Sequence, residues 1–409
     1  MKVAILEYIS GGGYSDKNLP SGILSEGYGM LSSALCDFKE AGHQTYTLLD
    51  SRIAQFQPPL RANKIRLVNS KEEFKTKTLD LLKNAEIFLL IAPESEGILA
   101  NLLSLSEELN VETLNCEIKS INTICSKFML YERLKEKGLP VPKTNRVVID
   151  EEIEKVQKIV ENMGFPVIIK PVEGIGCHGL SIVRRFSQLP IAIGKVKEGA
   201  KTNAYLVQEF VRGIHASVSL ISNGKEAMPL TLNLQTIVLN TPDKESSYIG
   251  GVVPFDHDLK DRAFYLAKRA VELFNGLRGY VGVDLIISEK GPILMEINPR
   301  LTVAYIGLRM VSNLNLAKVM IKACLNDELP EGFSHFGYSI FSKEPIQKVN
   351  RNLLKEIYSM GEVVTPPFPL NNKNYAFLAT KGKELEEAKA LFKKAKRKLR
   401  GIVGARRGK

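Results

Sequence analysis

Two features are scarce in this sequence: cysteine residues and long runs of apolar residues. The five cysteines are scattered through 409 residues, and no two of them stand in a CxxC spacing. Their distribution argues against a zinc site and a disulfide framework, and it predicts a reducing, cytoplasmic location. No apolar run reaches the roughly 18 residues of a membrane-spanning helix. We therefore expect no membrane partner.

The first apolar run, within MKVAILEYISGGG, is also short. It contains Glu7 and has no small-residue cleavage site. These features indicate a first β-strand rather than a secretory signal. The SGGG that follows does not match the GxGxxG dinucleotide fingerprint, so NAD binding is not predicted.

Acidic residues are missing from one end of the chain. The formal net charge is +11, but residues 393–409 hold nine Lys or Arg and no acid, and the rest of the protein carries only +2. The basicity thus belongs to one segment rather than to a binding face. We interpret it as a solvated or loosely ordered tail; weak, nonspecific contact with anionic partners is the alternative. No specific nucleic-acid partner is expected.

The order of strand-like and helix-like segments predicts three domains. Residues 1–118 alternate apolar strands with helices, which indicates an α/β domain with a parallel sheet and ligands at the carboxyl ends of its strands. Residues 119–328 change to a mixture of helices, longer strands and a hairpin. Residues 329–409 are expected to form a small α+β module ending in the basic tail.

The stretch LMEINPR, residues 294–300, places polar side chains in an apolar strand. Alternation along a strand puts Glu296, Asn298 and Arg300 on one face. Asp284 lies in the preceding strand of the same predicted hairpin and can point into the same cleft. Carboxylate and amide oxygens suit Mg²⁺ held jointly with phosphates, and the arginine suits a phosphate or acyl-phosphate oxygen. A buried ion pair between Arg300 and Glu296 is the structural alternative.

A second phosphate signal follows the strand FPVIIKP. Lys170 ends this strand, and Gly174, Gly176 and Gly179 follow in a loop whose backbone N–H groups can approach phosphate oxygens. By itself such a loop is often only a turn. Together with the hairpin it predicts a nucleotide site.

These motifs resemble those of the ATP-grasp enzymes. A lysine at a helix start, VIIKP with its glycine loop, VQEFVRG, GVDLI and MEINPR occur in that order over residues 119–325. The resemblance implies an ATP-grasp fold with an N-terminal pre-ATP-grasp domain and ATP and Mg²⁺ as cofactors, with two metal ions (Mg²⁺ or Mn²⁺). It assigns the phosphates to Lys127 and Lys170, adenine to Glu209 and Val211, and the metal to Asp284, Glu296 and Asn298.

One position departs from the family pattern. Many members carry an acid for the ribose hydroxyls two residues after the glycine of EFVRG, and here that residue is His215. A neutral imidazole can still bind a hydroxyl. A strand histidine satisfied by a neighbouring residue is the alternative.

The resemblance also implies the reaction: ATP activates a carboxylate as an acyl phosphate, and an amine attacks it. Lys170 and Arg300 would be the catalytic residues, small-molecule acids and amines the partners, and a homodimer the assembly. The segments EYISGGG and SEGYGML resemble the archaeal-type group that includes tyramine–L-glutamate ligases of methanofuran biosynthesis. That group predicts a cation for the α-carboxylate of glutamate and an apolar slot for a phenol. Arg309 and residues 235–240 are candidates, although Arg309 fits a surface salt bridge equally well.

Two alternatives remain open from the sequence. The first is another carboxylate–amine ligase that acts on an amino acid or a peptide-like substrate. The second is a noncatalytic nucleotide sensor, which the complete metal set disfavours because binding alone tolerates the loss of metal ligands.

Overall fold

The N-terminal part of the chain forms a parallel sheet flanked by helices. The computed structural model describes residues 1–174, 176–199, 202–347 and 349–404. The first elements are β1 (Lys2–Glu7), α1 (Ser21–Glu40), β2 (Gln44–Asp50), α2 (Ser51–Ala54), β3 (Lys64–Val68), α3 (Lys71–Lys83), β4 (Ile87–Ile91), α4 (Ile98–Glu108) and β5 (Glu112–Thr113).

The order of these strands in the sheet is β3-β2-β1-β4-β5, and all of them run parallel. Every residue of β4, Ile-Phe-Leu-Leu-Ile, is buried, as expected for a parallel strand covered on both faces. Because β1 and β4 are neighbours, their carboxyl ends lie side by side. A π-helix (Ile9–Gly13) follows β1, and a short 3₁₀ helix (Ser95–Gly97) lies just after β4.

The next segment builds a four-stranded antiparallel sheet. Its elements are α5 (Ile118–Ile124), α6 (Lys127–Glu136), β6 (Thr144–Val148), α7 (Ile153–Met163), β7 (Val167–Pro171), β8 (Ser181–Val183), α8 (Leu189–Gly199) and β9 (Ala204–Glu209). The strand order is β6-β9-β7-β8. Valines and isoleucines of β7 and β9 share a buried cluster with Val156 and Val160 of α7 and Val196 of α8.

A larger antiparallel sheet completes the chain. Its elements are β10 (Ile214–Asn223), β11 (Ala227–Val238), β12 (Ser247–Val253), α9 (Lys260–Glu272), β13 (Arg278–Ser288), β14 (Gly291–Asn298), α10 (Ala304–Val311), α11 (Leu316–Leu325), β15 (Tyr338–Ile346), α12 (Leu354–Tyr358), β16 (Val363–Thr365), β17 (Asn374–Gly382) and α13 (Leu385–Gly404). The strand order is β14-β13-β10-β11-β12-β15-β17-β16.

The C-terminal strands therefore continue the sheet that begins with β10–β14, because β15 pairs with β12. The two largest buried clusters each combine residues of the N-terminal sheet with residues of this eight-stranded sheet. The α/β and α+β fold class predicted from the sequence is confirmed. The domain boundaries at 118/119 and 328/329 stay predictions.

The prediction of loose order is wrong for residues 393–404, although most of their basic side chains are exposed, as expected for a solvated segment. These residues belong to α13, which buries Ala395, Leu399 and Ile402 against the sheet. Lys396 forms an ion pair of 2.7 Å with Glu344 of β15, and Arg400 lies 3.5 Å from the same carboxylate. Residues 405–409, the end of the predicted tail, lie outside the described residues. Among the described helices, none is both long enough and apolar enough to cross a membrane.

Candidate active site

A cavity of about 250 Å³ lies where the three sheets meet, and we call it the central cavity. The carboxyl ends of β1 and β4, together with α1, form one wall. The inner face of the eight-stranded sheet forms a second wall, and β7 with the glycine loop forms the third. Most of the residues predicted from the sequence line it: Lys127, Lys170, Gly174, Gly176, Asp284, Glu296, Asn298 and Arg300.

The hairpin of β13 and β14 brings the proposed metal ligands together. Asp284 is directly opposite Glu296, and Asn298 is two residues further along β14, opposite Gly282. Opposite residues of an antiparallel pair share a face, so all three side chains point into the central cavity. The Asn298 Nδ2 donates to Asp284 Oδ2 at 3.2 Å, and Gln235 Nε2 of β11 donates to Asp284 Oδ1 at 2.8 Å.

The pKa values of the two carboxylates are shifted in opposite directions. Burial raises the pKa of Asp284 to about 6, and the nearby charge of Glu296 adds to this effect. Burial also disfavours ionisation of Glu296, but Lys127, Lys170 and Arg300 outweigh it, so the pKa of Glu296 lies below its usual value. Glu296 is therefore negatively charged, and a cation placed between the two groups would keep Asp284 charged as well.

These residues fit a divalent cation with oxygen ligands. The Asn298 Oδ1 accepts no hydrogen bond from the described residues, so it is available beside two carboxylates. Hard carboxylate and amide oxygens suit Mg²⁺, which also keeps water and phosphate ligands. The set holds only two acids, and no cluster of three or more His, Cys, Asp or Glu residues placed to hold a metal occurs in the described part of the chain.

Lys127 is the first residue of α6, whose N-cap is Ser126. Its Nζ donates to Glu296 Oε1 at 2.6 Å and to the carbonyl oxygen of Gly174 at 3.1 Å. The lysine thus joins α6, the glycine loop and β14. A cation in this position can contact phosphate oxygens beside the proposed metal ligands.

Lys170 is buried near the end of β7. Its Nζ donates to Gln208 Oε1 at 2.9 Å, and Gln208 in turn donates to Thr144 Oγ1 at 2.8 Å. Burial, together with the neighbouring Lys127, lowers the pKa of Lys170 to about 8. An anionic ligand would raise this pKa again, because its charge favours the protonated lysine, as expected for a phosphate-binding residue.

The glycine loop has the conformation that only glycine adopts readily. Gly174, Gly176 and Gly179 have φ values of 152°, 65° and 72°. The first two line the central cavity, whereas Gly179 does not. Residue 175 lies outside the described residues.

Arg300 reaches the cavity from the loop after β14, and its Nε lies 2.8 Å from Glu94 Oε1, at the carboxyl end of β4. The alternative ion pair between Arg300 and Glu296 is wrong, because Glu296 pairs with Lys127 instead. The arginine thus links the parallel sheet to the eight-stranded sheet beside the proposed metal ligands.

The residues proposed for adenine and ribose lie outside the walls of the central cavity. Glu209 ends β9, where its Oε2 accepts from the Lys143 backbone N–H at 3.2 Å. Val211 is half-buried in the connection that follows. His215 of β10 is opposite Ile286, burial lowers its pKa, and its ring forms no hydrogen bond among the described residues. Their contacts with nucleotide stay predictions.

Arg309 does not line the cavity, and of its two interpretations the structure supports the salt bridge, which is partly buried rather than on the surface. Its Nη2 lies 2.7 Å from Asp37 Oδ1, and its Nε donates to the same oxygen at 2.8 Å. Tyr305 donates to the other oxygen of Asp37 at 2.5 Å. The guanidinium is part of a buried link between α10 and α1. In the predicted substrate segment 235–240, Gln235 and Ile237 do line the cavity.

Three acids of the cavity wall were missed in the sequence. Glu7 accepts from Ser10 N–H at 2.7 Å, Ser10 Oγ at 2.6 Å and Ile9 N–H at 3.0 Å, and burial raises its pKa. Glu94 pairs with Arg300, and Glu26 of α1 pairs with Lys343 of β15. Glu7 and Glu94 stand at the ends of predicted parallel strands, which was a usable signal. Nothing in the sequence connects Glu26 with Lys343.

Comparisons with known proteins agree with this geometry. Residues 124–304 match an ATP-grasp domain, and residues 43–121 match a pre-ATP-grasp domain. A tyramine–L-glutamate ligase of Methanocaldococcus jannaschii is 32% identical over 332 residues, covering 80% of this chain and 90% of that one. The chain belongs to the ATP-grasp family of carboxylate–amine ligases. Members of this family use ATP and Mg²⁺.

A second relative supports the family assignment, and a solved structure supports the fold. A tyramine–L-glutamate ligase of Methanocaldococcus fervens is 33% identical over 329 residues, covering 80% of this chain and 95% of that one. The biotin carboxylase of Campylobacter jejuni, solved as a β-γ-ATP complex, superposes with a TM-score of 0.71 at 15% identity. This match covers 96% of the present chain and 90% of the carboxylase.

Proposed function

We propose that this ATP-grasp ligase joins the γ-carboxylate of L-glutamate to the amine of tyramine. The observation that carries the proposal is the meeting of three carboxylate or amide ligands (Asp284, Glu296 and Asn298) with three cations (Lys127, Lys170 and Arg300) on the walls of one cavity. The substrates come from the names of the two relatives.

In the first step, a γ-carboxylate oxygen of glutamate attacks the γ-phosphorus of ATP, the bond to the bridging oxygen breaks, and ADP leaves. Bound Mg²⁺ supplies charge neutralisation for the phosphates. Lys127 and Lys170 contact the phosphate oxygens, and Arg300 holds an oxygen of the acyl phosphate. In the second step, the amine nitrogen attacks the acyl carbon, inorganic phosphate leaves, and the nitrogen loses a proton.

Asp284, Glu296 and Asn298 are the proposed metal ligands, and they would hold two Mg²⁺ ions, which Mn²⁺ can replace. The N–H groups of the loop around Gly174, Gly176 and Gly179 would cover the phosphates. Glu209 and the backbone of Val211 would bind adenine, and His215 would contact ribose. These assignments are supported by the matched order of motifs.

The proposal includes a homodimer in the cytoplasm, following the family resemblance and the five free cysteines, which suit a reducing compartment. Light scattering coupled to size-exclusion chromatography measures the first point directly. A monomeric mass would remove the homodimer from the proposal without affecting the ligase.

The deciding experiment is ADP and phosphate release with Mg-ATP over a matrix of amino acids and amines, with products identified by mass. A new amide from glutamate and tyramine is the expected result. Turnover only with another pair would retain the ligase and discard these substrates. Tight ATP binding without turnover of any pair would favour a noncatalytic sensor.

A further inference from the structure

A buried ion pair lies beside the central cavity. Glu26 Oε1 of α1 accepts from Lys343 Nζ of β15 at 2.5 Å, and the two side chains are only 12% and 11% exposed. Glu26 lines the cavity, as does Met30 one turn later on the same face of α1. Phe341, two residues before Lys343 and therefore on the same face of β15, also lines it, whereas Lys343 itself lies next to the lining, against Glu26.

Both members of the pair keep unused hydrogen-bonding capacity. Among the described residues, Glu26 Oε2 has no hydrogen-bond partner, and Glu26 is the only hydrogen-bond acceptor that Lys343 contacts. A carboxylate accepts through two oxygens and an ammonium donates three hydrogen bonds, so each group can bind a ligand without leaving the other. Arg309 offers a contrast, because Asp37 occupies both its Nε and its Nη2.

The ion pair and the proposed metal ligands lie at one and the same cavity. Glu26 lines the cavity together with Asp284 and Glu296. Three residues before Glu26 on α1, Ile23 lies against the glycine loop, since a Cβ atom at Gly176 would be 3.9 Å from it. A small ligand can therefore place one end at the ion pair and its other end at the metal ligands. Burying two charges is expensive and rarely improves stability over an apolar pair, so a ligand-binding role accounts for the pair better than stability does.

We propose that Glu26 and Lys343 bind the α-ammonium and the α-carboxylate of the amino-acid substrate, respectively. A zwitterion presents one charge of each sign on one carbon atom and so matches a preformed pair of opposite charges. Binding there leaves the γ-carboxylate free to point toward Asp284, Glu296 and Arg300. The inference rests on the proposed function for the identity of the amino acid.

The test uses two analogues of glutamate that each lack one charged group. Glutarate lacks the α-ammonium, and 4-aminobutyrate lacks the α-carboxylate; kcat/KM for each is measured with saturating tyramine and Mg-ATP. Lys343→Met should lower kcat/KM about 10- to 100-fold for glutamate and glutarate but not for 4-aminobutyrate. Glu26→Gln should lower it for glutamate and 4-aminobutyrate but not for glutarate.

Glu344→Gln is the matched control, because Glu344 is the next residue of β15 and its buried carboxylate pairs with Lys396 on the opposite face. It should leave the ratios between the three acids unchanged. If Lys343→Met does not fold, Glu26→Gln combined with Lys343→Met removes both charges and should abolish the preference for glutamate over either analogue. A uniform loss for all three acids in the Glu26 and Lys343 variants would overturn the proposal.

If glutamate and tyramine are not the substrates, the proposed function fails, and this outcome can be distinguished from failure of the zwitterion site. If wild-type protein turns over another amino acid, the same comparison is made with the analogues of that acid that lack its α-ammonium or its α-carboxylate. Turnover restricted to acids without an α-amino group would overturn the zwitterion site. If no acid is turned over, binding of labelled glutamate is measured by equilibrium dialysis in the presence of Mg-ADP. Absence of binding would overturn the zwitterion site.

Discussion

The Nζ of Lys127 lies 2.6 Å from Glu296 Oε1, although 169 residues separate the two in the chain. This contact connects α6 with β14 beside the glycine loop. The pKa of Lys127 is raised: burial opposes the charge, but Glu296 and Glu94 outweigh it. Lys127 is thus held as a cation where phosphates would meet the metal ligands.

Replacing Lys127 should weaken nucleotide binding. Lys127→Met removes one phosphate contact and leaves Glu296 without its partner, so we expect Kd for Mg-ATP to rise about 10- to 100-fold. Titration calorimetry measures the change. Lys135→Met on the same helix is the control, because Lys135 is 61% exposed and does not line the cavity. Equal affinity of Lys127→Met and the wild type for Mg-ATP would show that Lys127 does not contact the phosphates.

Removing the amide ligand should stop catalysis without unfolding the protein. Asn298→Ala removes one oxygen ligand and the hydrogen bond to Asp284, and we expect kcat to fall at least about 100-fold. ADP release at saturating Mg-ATP measures the effect, and thermal unfolding checks the fold. Asn101→Ala on the exposed side of α4 is the control. Wild-type activity of Asn298→Ala would remove the metal assignment.

Nucleotide binding should take up a proton in alkaline solution. Burial holds the pKa of Lys170 at about 8, so above that pH the free protein carries the lysine mostly neutral. The phosphates of bound ATP favour the charged lysine, so above pH 8 binding is accompanied by proton uptake. Because binding then requires a proton, the affinity for ATP falls as the pH rises.

Calorimetry at pH 8.5 in buffers of different ionisation enthalpy measures this uptake. ATP binding to the wild-type protein should be accompanied by uptake of a fraction of a proton. In Lys170→Met this contribution to the uptake should be absent. Proton uptake of the same size in both proteins would assign it to another group, such as the nucleotide itself.

Gly27 lets α1 pass close to Glu7. A Cβ atom at Gly27 would lie 2.5 Å from the carboxyl carbon of Glu7. Gly27→Ala must therefore displace a buried carboxylate that lines the cavity, and we expect a loss of about 1–3 kcal/mol in the free energy of unfolding. Gly22→Ala in the same helix is the control, since its nearest contact would be 3.7 Å away. Urea denaturation measures both variants, and equal stability would contradict the steric argument.

Arg309 should matter for stability rather than for substrate binding. Arg309→Met leaves Asp37 buried without its cation, at a cost of about 3 kcal/mol in the free energy of unfolding. Adding Asp37→Asn removes the uncompensated charge and should restore part of the loss. Denaturant unfolding measures stability, and steady-state kinetics should show an unchanged KM for the acid. A raised KM for the acid with unchanged stability would instead indicate that Arg309 takes part in substrate binding.

Much of the fold and part of the site follow from local sequence. Apolar runs ending in glycines predict the strands and turns of both the parallel sheet and the β13–β14 hairpin. Strand alternation places Asp284, Glu296 and Asn298 on one face, because the period of two is a property of the backbone itself. The glycines after Lys170 predict a loop with left-handed residues for the same local reason.

The remaining contacts were decided only by tertiary structure. Glu26 and Lys343 are 317 residues apart, and Asp37 and Arg309 are 272 apart. No periodicity relates such residues, so packing of the sheets alone selects which charges meet. The tail shows the same limit: its composition is that of a solvated segment, yet three apolar side chains and Glu344 hold it against β15 and β17. The sequence by itself determined which groups share a strand face; the packing of three sheets determined which of them share a cavity, because only burial brings distant side chains within hydrogen-bonding distance.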